Sequence, residues 1–223
     1  MILGCRRKHL LTPLFFLILV LPATGLWARE GQHQEISPER VFVFEKQEVV
    51  VNDFKTEGFI LDIGGGGEGI IGQLKGSQVI AIDLIKKELE DAPPGPLKIV
   101  MDARSLGFLD NTFNTATIFF TFMYIKSSDH EKVFQEVYRV VTPGGRLLIW
   151  DVIFPGEKEK GKDYVLFPLS VRLPNKTVNT GYGVRWPEQE QGLPYYLELA
   201  QKTGFKVISQ NKQNAWFFLE LQK

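Results

Sequence analysis

Phe59-Ile60-Leu61-Asp62-Ile63-Gly64-Gly65-Gly66-Gly67-Glu68-Gly69 is the stretch that decides the fold. A short apolar run that stops at glycines has the pattern of a strand buried on both faces, and Gly69 to Leu74 then opens a helix. Glycine suits such a turn because the chain reverses sharply with positive φ and lets a ligand approach the backbone. The N–H groups at the start of the following helix offer hydrogen bonds to an anionic or polar ligand. Taken alone, the glycine run is a weak signal that a flexible turn without a ligand also explains.

The neighbouring strands add weight. Val79-Ile80-Ala81-Ile82-Asp83 is a second buried run, and its Asp83 falls nineteen residues after Gly64, where a carboxylate accepts both hydroxyls of a ribose. Leu97 to Met101 is a third strand ending at Asp102, suited to an exocyclic amine. Asp62, Asp83 and Asp102 thus stand at the carboxyl ends of successive strands, the edge at which open α/β sheets bind ligands. Each of them alone reads as a helix cap. Three beside one glycine turn point to a nucleoside site.

Further along, Thr115 to Thr121 is a fourth strand, and Ser128 to Val141 carries Val133, Phe134, Val137 and Val140 at helical spacing. Thr142-Pro143-Gly144-Gly145 ends that helix, Arg146 to Val152 is a fifth strand, and Leu193 to Thr203 is a last helix closed by Gly204. Phe205 to Gln210 and Ala215 to Gln222 are too close in sequence for a parallel crossover and pair antiparallel. The alternation predicts an α/β, Rossmann-like, doubly wound sheet of seven mostly parallel strands with an antiparallel C-terminal strand. Val41 to Val51 fits a strand or a helix, and residues 155–192 show no clear period.

The 223 residues carry 26 basic and 26 acidic side chains, a balance that argues against a nucleic-acid binder. With one cysteine, Cys5, and no Cys/His zinc spacing, neither a disulfide scaffold nor a metal module is expected. Residues 1–28 differ from the rest. Arg6, Arg7, Lys8 and His9 precede an apolar run from Leu10 to Leu21, and Ala23, Thr24 and Gly25 follow Pro22. That order reads as a secretory signal or, if uncleaved, a membrane anchor through residues 10–28. A twelve-residue helix spans about 18 Å against about 30 Å of hydrocarbon, which is short for a permanent span. Positive flanking charge would place the remainder outside the cytoplasm. Residues 29–54 read as a linker and N-terminal extension, and 55–223 as the domain proper.

From Leu61 onward the chain resembles the class I S-adenosylmethionine-dependent methyltransferases, in particular the type 11-like domain. Leu61-Asp62-Ile63-Gly64-Gly65-Gly66 is similar to the family's first motif, Ile82-Asp83-Leu84 to its ribose motif and Met101-Asp102-Ala103 to its adenine-side motif. Phe108 to Asn114 resembles the approach to strand four, and Glu136 to Leu147 the passage from helix to strand five. The resemblance implies S-adenosyl-L-methionine as cofactor and small-molecule substrate. It implies donor contacts from Asp62, Gly64, Gly65, Gly66, Asp83, Leu84, Asp102, Ala103 and Phe120. The resemblance bears on the compartment: the N-terminal segment reads as export or anchoring, and the domain is cytoplasmic if that segment is not a working signal, as a cytoplasmic methyl donor would suggest.

Three departures stand out. Glu68 occupies the family's third alternate glycine, Asn114 replaces an Asp, and Phe120 to Tyr124 is apolar where relatives carry polar residues. No catalytic residue follows from the sequence. Tyr124, His130 and Asp151 are candidates, with wall, exposed helix start and strand-end cap as their ordinary readings. Tyr164, Phe167, Tyr182 and Trp186 fit an aromatic cover over an acceptor or simple packing. Gly64-x-Gly66-x-x-Gly69 also fits a nicotinamide dinucleotide fingerprint, and a non-catalytic domain of the same fold is the other alternative.

Overall fold

The computed structural model describes residues 36–154, 157–188 and 191–223, all within one compact unit, Ile36–Lys223. The signal or anchor reading of residues 1–28, and the linker reading as far as residue 35, lie outside the described residues. Among the described residues no helix is long and apolar enough to cross a membrane.

The main sheet contains β3 (Ile60–Ile63), β4 (Val79–Asp83), β5 (Leu97–Val100), β6 (Phe113–Phe119), β7 (Val141–Val152), β10 (Lys206–Lys212) and β11 (Trp216–Gln222). Their order across the sheet is β10-β11-β7-β6-β3-β4-β5. Neighbours from β7 to β5 pair parallel, whereas β11 runs antiparallel to both β7 and β10. The order proceeds one way from β3 through β4 to β5 and the other way from β6 to β7. The switch therefore falls between β3 and β6, where the crevice of a doubly wound sheet opens.

Helices α1 (Ile70–Lys75), α2 (Lys86–Asp91), α3 (Ser127–Val140) and α4 (Leu193–Thr203) cover the sheet. One face packs against α3 and α4 through Leu61, Ile63, Ala116, Val133, Phe134, Val137 and Tyr196. In α3 the buried residues recur at 130, 133, 134, 137 and 140, the stripe that a 3.6-residue period creates. The other face packs Ile60, Ala81, Leu148 and Trp150 against Ile70 and Ile71 of α1 and against a second sheet. Residue alternation along β3 puts Asp62 on this second face, opposite Ala81 and Thr117.

That second sheet is what the sequence left unread. β8 (Tyr164–Leu173) and β9 (Lys176–Arg185) form a hairpin, and β1 (Val41–Val43) and β2 (Gln47–Val50) pair parallel with the opposite edge of β8. Val41 to Val51 is therefore extended, and much of residues 155–192 is ordered strand. Val165, Phe167, Leu169, Val171 and Leu173 alternate into the core. Pro168 stands where β1 has ended and β2 has not begun, a point at which a missing N–H costs no ladder bond on that edge. The Thr142 to Gly145 break is present as a bulge, because Phe113 pairs with Val141 but Thr115 pairs with Arg146.

Candidate functional site

Asp62 ends β3 with 2% of its surface exposed. Thr117 donates its hydroxyl to Asp62 Oδ1 at 2.7 Å from β6. Burial, with a smaller contribution from the charge of Asp83, pushes the Asp62 carboxyl up to about 7 despite that hydrogen bond. A Cβ built on Gly65 would stand 2.7 Å from Asp62 Oδ2, so the second oxygen faces the glycine turn and only glycine fits there. Gly64 has φ of 73°, and a Cβ on it would meet the Thr121 hydroxyl at 2.2 Å. The turn is thus wedged between Asp62 and the residues that follow β6.

Asp83 ends β4 half-buried, accepting from the Ile85 N–H at 2.8 Å, with burial raising its pKa and the amides of Ile85, Gly66 and Leu84 opposing that rise. A Cβ on Gly66 would approach Asp83 Oδ2 at 2.8 Å and Glu88 Cβ at 2.5 Å, so Asp83 and α2 close directly on the turn. Leu84 beside it is 53% exposed, an apolar surface held at the rim. Several turn donors are used internally: Gly64 and Gly65 N–H on the Ile82 carbonyl, Gly67 on Glu88 and Gly69 on Gly66.

Asp62 and Asp83 are brought together; Asp102 is held differently. Its carboxylate accepts the Arg104 Nε, Nη2 and backbone N–H, and Arg104 Nη1 reaches on to Asp129 at 2.9 Å. The guanidinium holds the Asp102 carboxyl below its ordinary value. Ala103 packs half-buried against the α3 face. Phe120, just past β6, has φ of 50°, a left-handed conformation that costs a bulky residue about 1–3 kcal/mol. Its N–H donates to the Trp150 carbonyl at 2.7 Å, which fixes the backbone at the switch point.

The three catalytic candidates separate clearly. Asp151 is fully buried and accepts the N–H groups of Phe122 and Val152, each at 2.8 Å; burial raises its carboxyl to about 7. His130 is fully buried rather than an exposed helix start, because its ring packs 4.9 Å from Phe122 and its Nε2 donates to the carbonyls of Phe122 and Ile125. Its Nδ1 then accepts the Tyr195 hydroxyl at 3.0 Å, and burial lowers its pKa. Both residues staple the loop after β6. Tyr124 remains at the site, its hydroxyl near the Gly183 N–H and the Glu68 carboxylate, with burial raising its pKa.

Among the four candidate cover aromatics, Tyr182 reaches this region, 5.5 Å from the Phe120 ring. Phe167 stacks on Phe44 at 4.3 Å, Trp186 packs on Phe42, and Tyr164 lies near the guanidinium groups of Arg40 and Arg185. Sequence reasoning missed Thr180 and assigned no role to Glu68, yet Thr180 donates its hydroxyl to Glu68 Oε1. The acid in a glycine position was the available signal. Asn114 bonds the Glu57 carbonyl and the Thr142 hydroxyl at the opposite end of β6, a structural role. A shallow concavity of about 290 Å³, lined by residues including Glu57, Asn114 and Thr142, lies at that amino-terminal edge.

Residues 61–149 match a family model described as a methyltransferase domain. The ubiquinone/menaquinone biosynthesis C-methyltransferase UbiE of Enterobacter sp. (strain 638) is 34% identical over 87 residues, which are 38% of this chain and 34% of that enzyme. This segment thus spans about a third of the curated relative's length. A protein from Pyrococcus horikoshii OT3 superposes with a TM-score of 0.56 at 20% identity, covering 75% of this chain and 82% of that one. Haemonchus contortus phosphoethanolamine N-methyltransferase 2, solved with S-adenosyl-L-methionine, superposes at 0.55 with 18% identity over 77% of this chain and 50% of its own. These two structures share the fold.

Proposed function

We propose, starting from a chain whose residues 61–149 match a methyltransferase domain, that this protein is a class I S-adenosylmethionine-dependent methyltransferase that transfers a methyl group from S-adenosyl-L-methionine to a small-molecule acceptor. The observation that carries this reading is the glycine turn clasped between Asp62 and Asp83 at the β3/β6 switch. The residues fit the donor: the turn excludes any Cβ at 64, 65 and 66, a carboxylate stands on each side, and Leu84 offers an exposed apolar surface beside Asp83.

The bound donor supplies a methyl group activated on a sulfonium. In this reading Asp62 and the backbone of Gly64, Gly65 and Gly66 orient its amino acid end. Asp83 accepts the ribose hydroxyls, and Leu84 with Asp102 and Ala103 borders the adenine. Arg104 keeps the Asp102 carboxylate ionised and fixed in direction. The strained backbone of Phe120 sets the wall nearest the acceptor. Alignment of two reactants at close range supplies most of what such a transfer requires. A base is needed only where the acceptor must lose a proton; Tyr124, the one candidate of the three not committed to stapling the loop, is held protonated by burial and so suits holding an acceptor's polar group rather than taking its proton. Nothing in the relatives' differing chemistry transfers an acceptor to this chain.

Calorimetry of the full chain tests the assignment: S-adenosyl-L-methionine should give saturable heat at one site per chain, and a nicotinamide dinucleotide none. Heat with the dinucleotide alone, or with neither, would reject it.

A further inference from the structure

From Val165 to Val171 and their partners, the inner face of the β8–β9 hairpin is apolar except at two places. Cross-strand pairing puts Val165 with Val184, Phe167 with Tyr182, Leu169 with Thr180 and Val171 with Val178 on one side of the ribbon. Of the two hydroxyls in that set, Thr180 donates to the Glu68 carboxylate on the glycine turn, and the Tyr182 hydroxyl lies near enough to that carboxylate for it to add to the rise that burial gives its pKa. The Tyr182 ring also lies on Phe120, and the Gly183 N–H faces the Tyr124 hydroxyl. Among the described residues, what joins β9 to the glycine turn and the loop after β6 is the Glu68 carboxylate, the Phe120 ring and the Gly183 N–H, while Val178, Tyr182 and Val184 rest on the core beneath. β9 is otherwise an edge strand with no fully buried residue, whereas β8 is alternately buried in the core.

We propose that Glu68 is a positioning residue that latches β9 over the glycine turn, and that release of this latch admits the donor and the acceptor. The inference rests on the reading of the glycine turn as the donor site. A glycine at position 68 would leave β9 without a carboxylate to hold, whereas Glu68 puts that carboxylate on the glycine turn itself. With the latch closed, Phe120 and Tyr182 fill the space beside the turn. With it open, the surface uncovered is aromatic and hydroxyl-bearing: Phe120, Tyr124, Tyr182 and Thr180. Such a wall fits a flat, largely apolar acceptor that carries a hydrogen-bonding group, since rings take the ring and the hydroxyls take the polar group.

The test is amide hydrogen exchange and S-adenosylhomocysteine association on the full chain, comparing wild type with Glu68→Ala, Thr180→Val and Thr180→Ser. Thr180→Val keeps the shape and removes the donor. It should speed exchange in residues 178–184 by about tenfold, the factor that follows from losing one hydrogen bond to a charged group, and leave residues 133–140 of α3 unchanged. The association rate should rise by a similar factor in Thr180→Val and Glu68→Ala, and Thr180→Ser should restore both values. Unchanged exchange in β9, an equal rise in α3, or, in a chain that binds S-adenosylhomocysteine, faster exchange without faster association would overturn the proposal. Failure of the wild type to bind S-adenosylhomocysteine, with exchange responding as expected, would instead overturn the donor-site reading and uphold the latch.

Discussion

Asp62→Asn should make the protein more stable at pH 8 and leave it unchanged near pH 4. In the folded chain the Asp62 carboxyl titrates at about 7, against an ordinary value of 3.8, chiefly because it is buried. The folded state thus holds this proton more tightly than the unfolded state. Its contribution is fully present below the ordinary carboxylate value and is lost as pH rises through about 7. Three units at about 1.4 kcal/mol each set the loss at up to about 4 kcal/mol for this one group. Asparagine keeps the acceptor for the Thr117 hydroxyl and has no charge to bury. Asp151, raised to about 7 as well, adds a slope of the same sign to both proteins, so the difference between them isolates Asp62. Urea unfolding at pH 4, 6 and 8, followed by tryptophan fluorescence, measures it. A stability difference that stays constant across that range would refute the reasoning. Donor affinity should move the opposite way, because the asparagine cannot pair with the ammonium of the donor. A site residue that costs stability in the empty protein is a familiar exchange of stability for function.

Other outcomes follow from the same geometry. Asp83→Ala should weaken S-adenosylhomocysteine binding by about 1–3 kcal/mol in calorimetry, the cost of leaving ribose hydroxyls unpaired; unchanged affinity would count against its assignment. Gly64→Ala should destabilise the chain by about 2–4 kcal/mol, from the left-handed backbone and the collision with Thr121. Chemical denaturation measures that loss, and a near-neutral effect would show that the turn relaxes. If residues 1–28 are a cleaved signal, mass spectrometry of the protein from its native host should find a chain beginning near Arg29; an intact N-terminal peptide would reject cleavage.

Most of the main sheet was legible because each strand announces itself locally. Ile60 to Ile63 and Val79 to Asp83 are short apolar runs ending at glycines or an acid, and Phe113 to Phe119 is rich in β-branched and aromatic residues; all three are largely buried. The β8–β9 hairpin was not legible, although Val165, Phe167, Leu169, Val171 and Leu173 alternate with period two. Leu166 and Pro168 fall on the opposite face and blur the alternation, and nothing local says that β1 and β2, more than a hundred residues earlier, will cover one edge. Asp102 shows the same limit at the level of one side chain. Its place at a strand end is readable, but its capture by Arg104 and, through it, by Asp129 of α3 depends on how the helix docks.

His130 and Asp151 carry this argument further. Each sits where a base for the reaction would be sought, and each is instead spent on backbone groups between residues 121 and 125. That loop begins with the left-handed Phe120 and contains Tyr124, so its shape is not one that the local sequence prefers. A strained backbone persists only where surrounding contacts over-determine it. A buried carboxylate accepting successive N–H groups and a buried imidazole donating to the carbonyls supply such contacts from opposite sides. Asp151→Asn and His130→Ala should therefore lower activity by letting the loop relax, with the loss shared between acceptor affinity and turnover and with no change in the pH profile of the chemical step. A profile that lost one ionisation in either variant would make that residue the base and Tyr124 a wall.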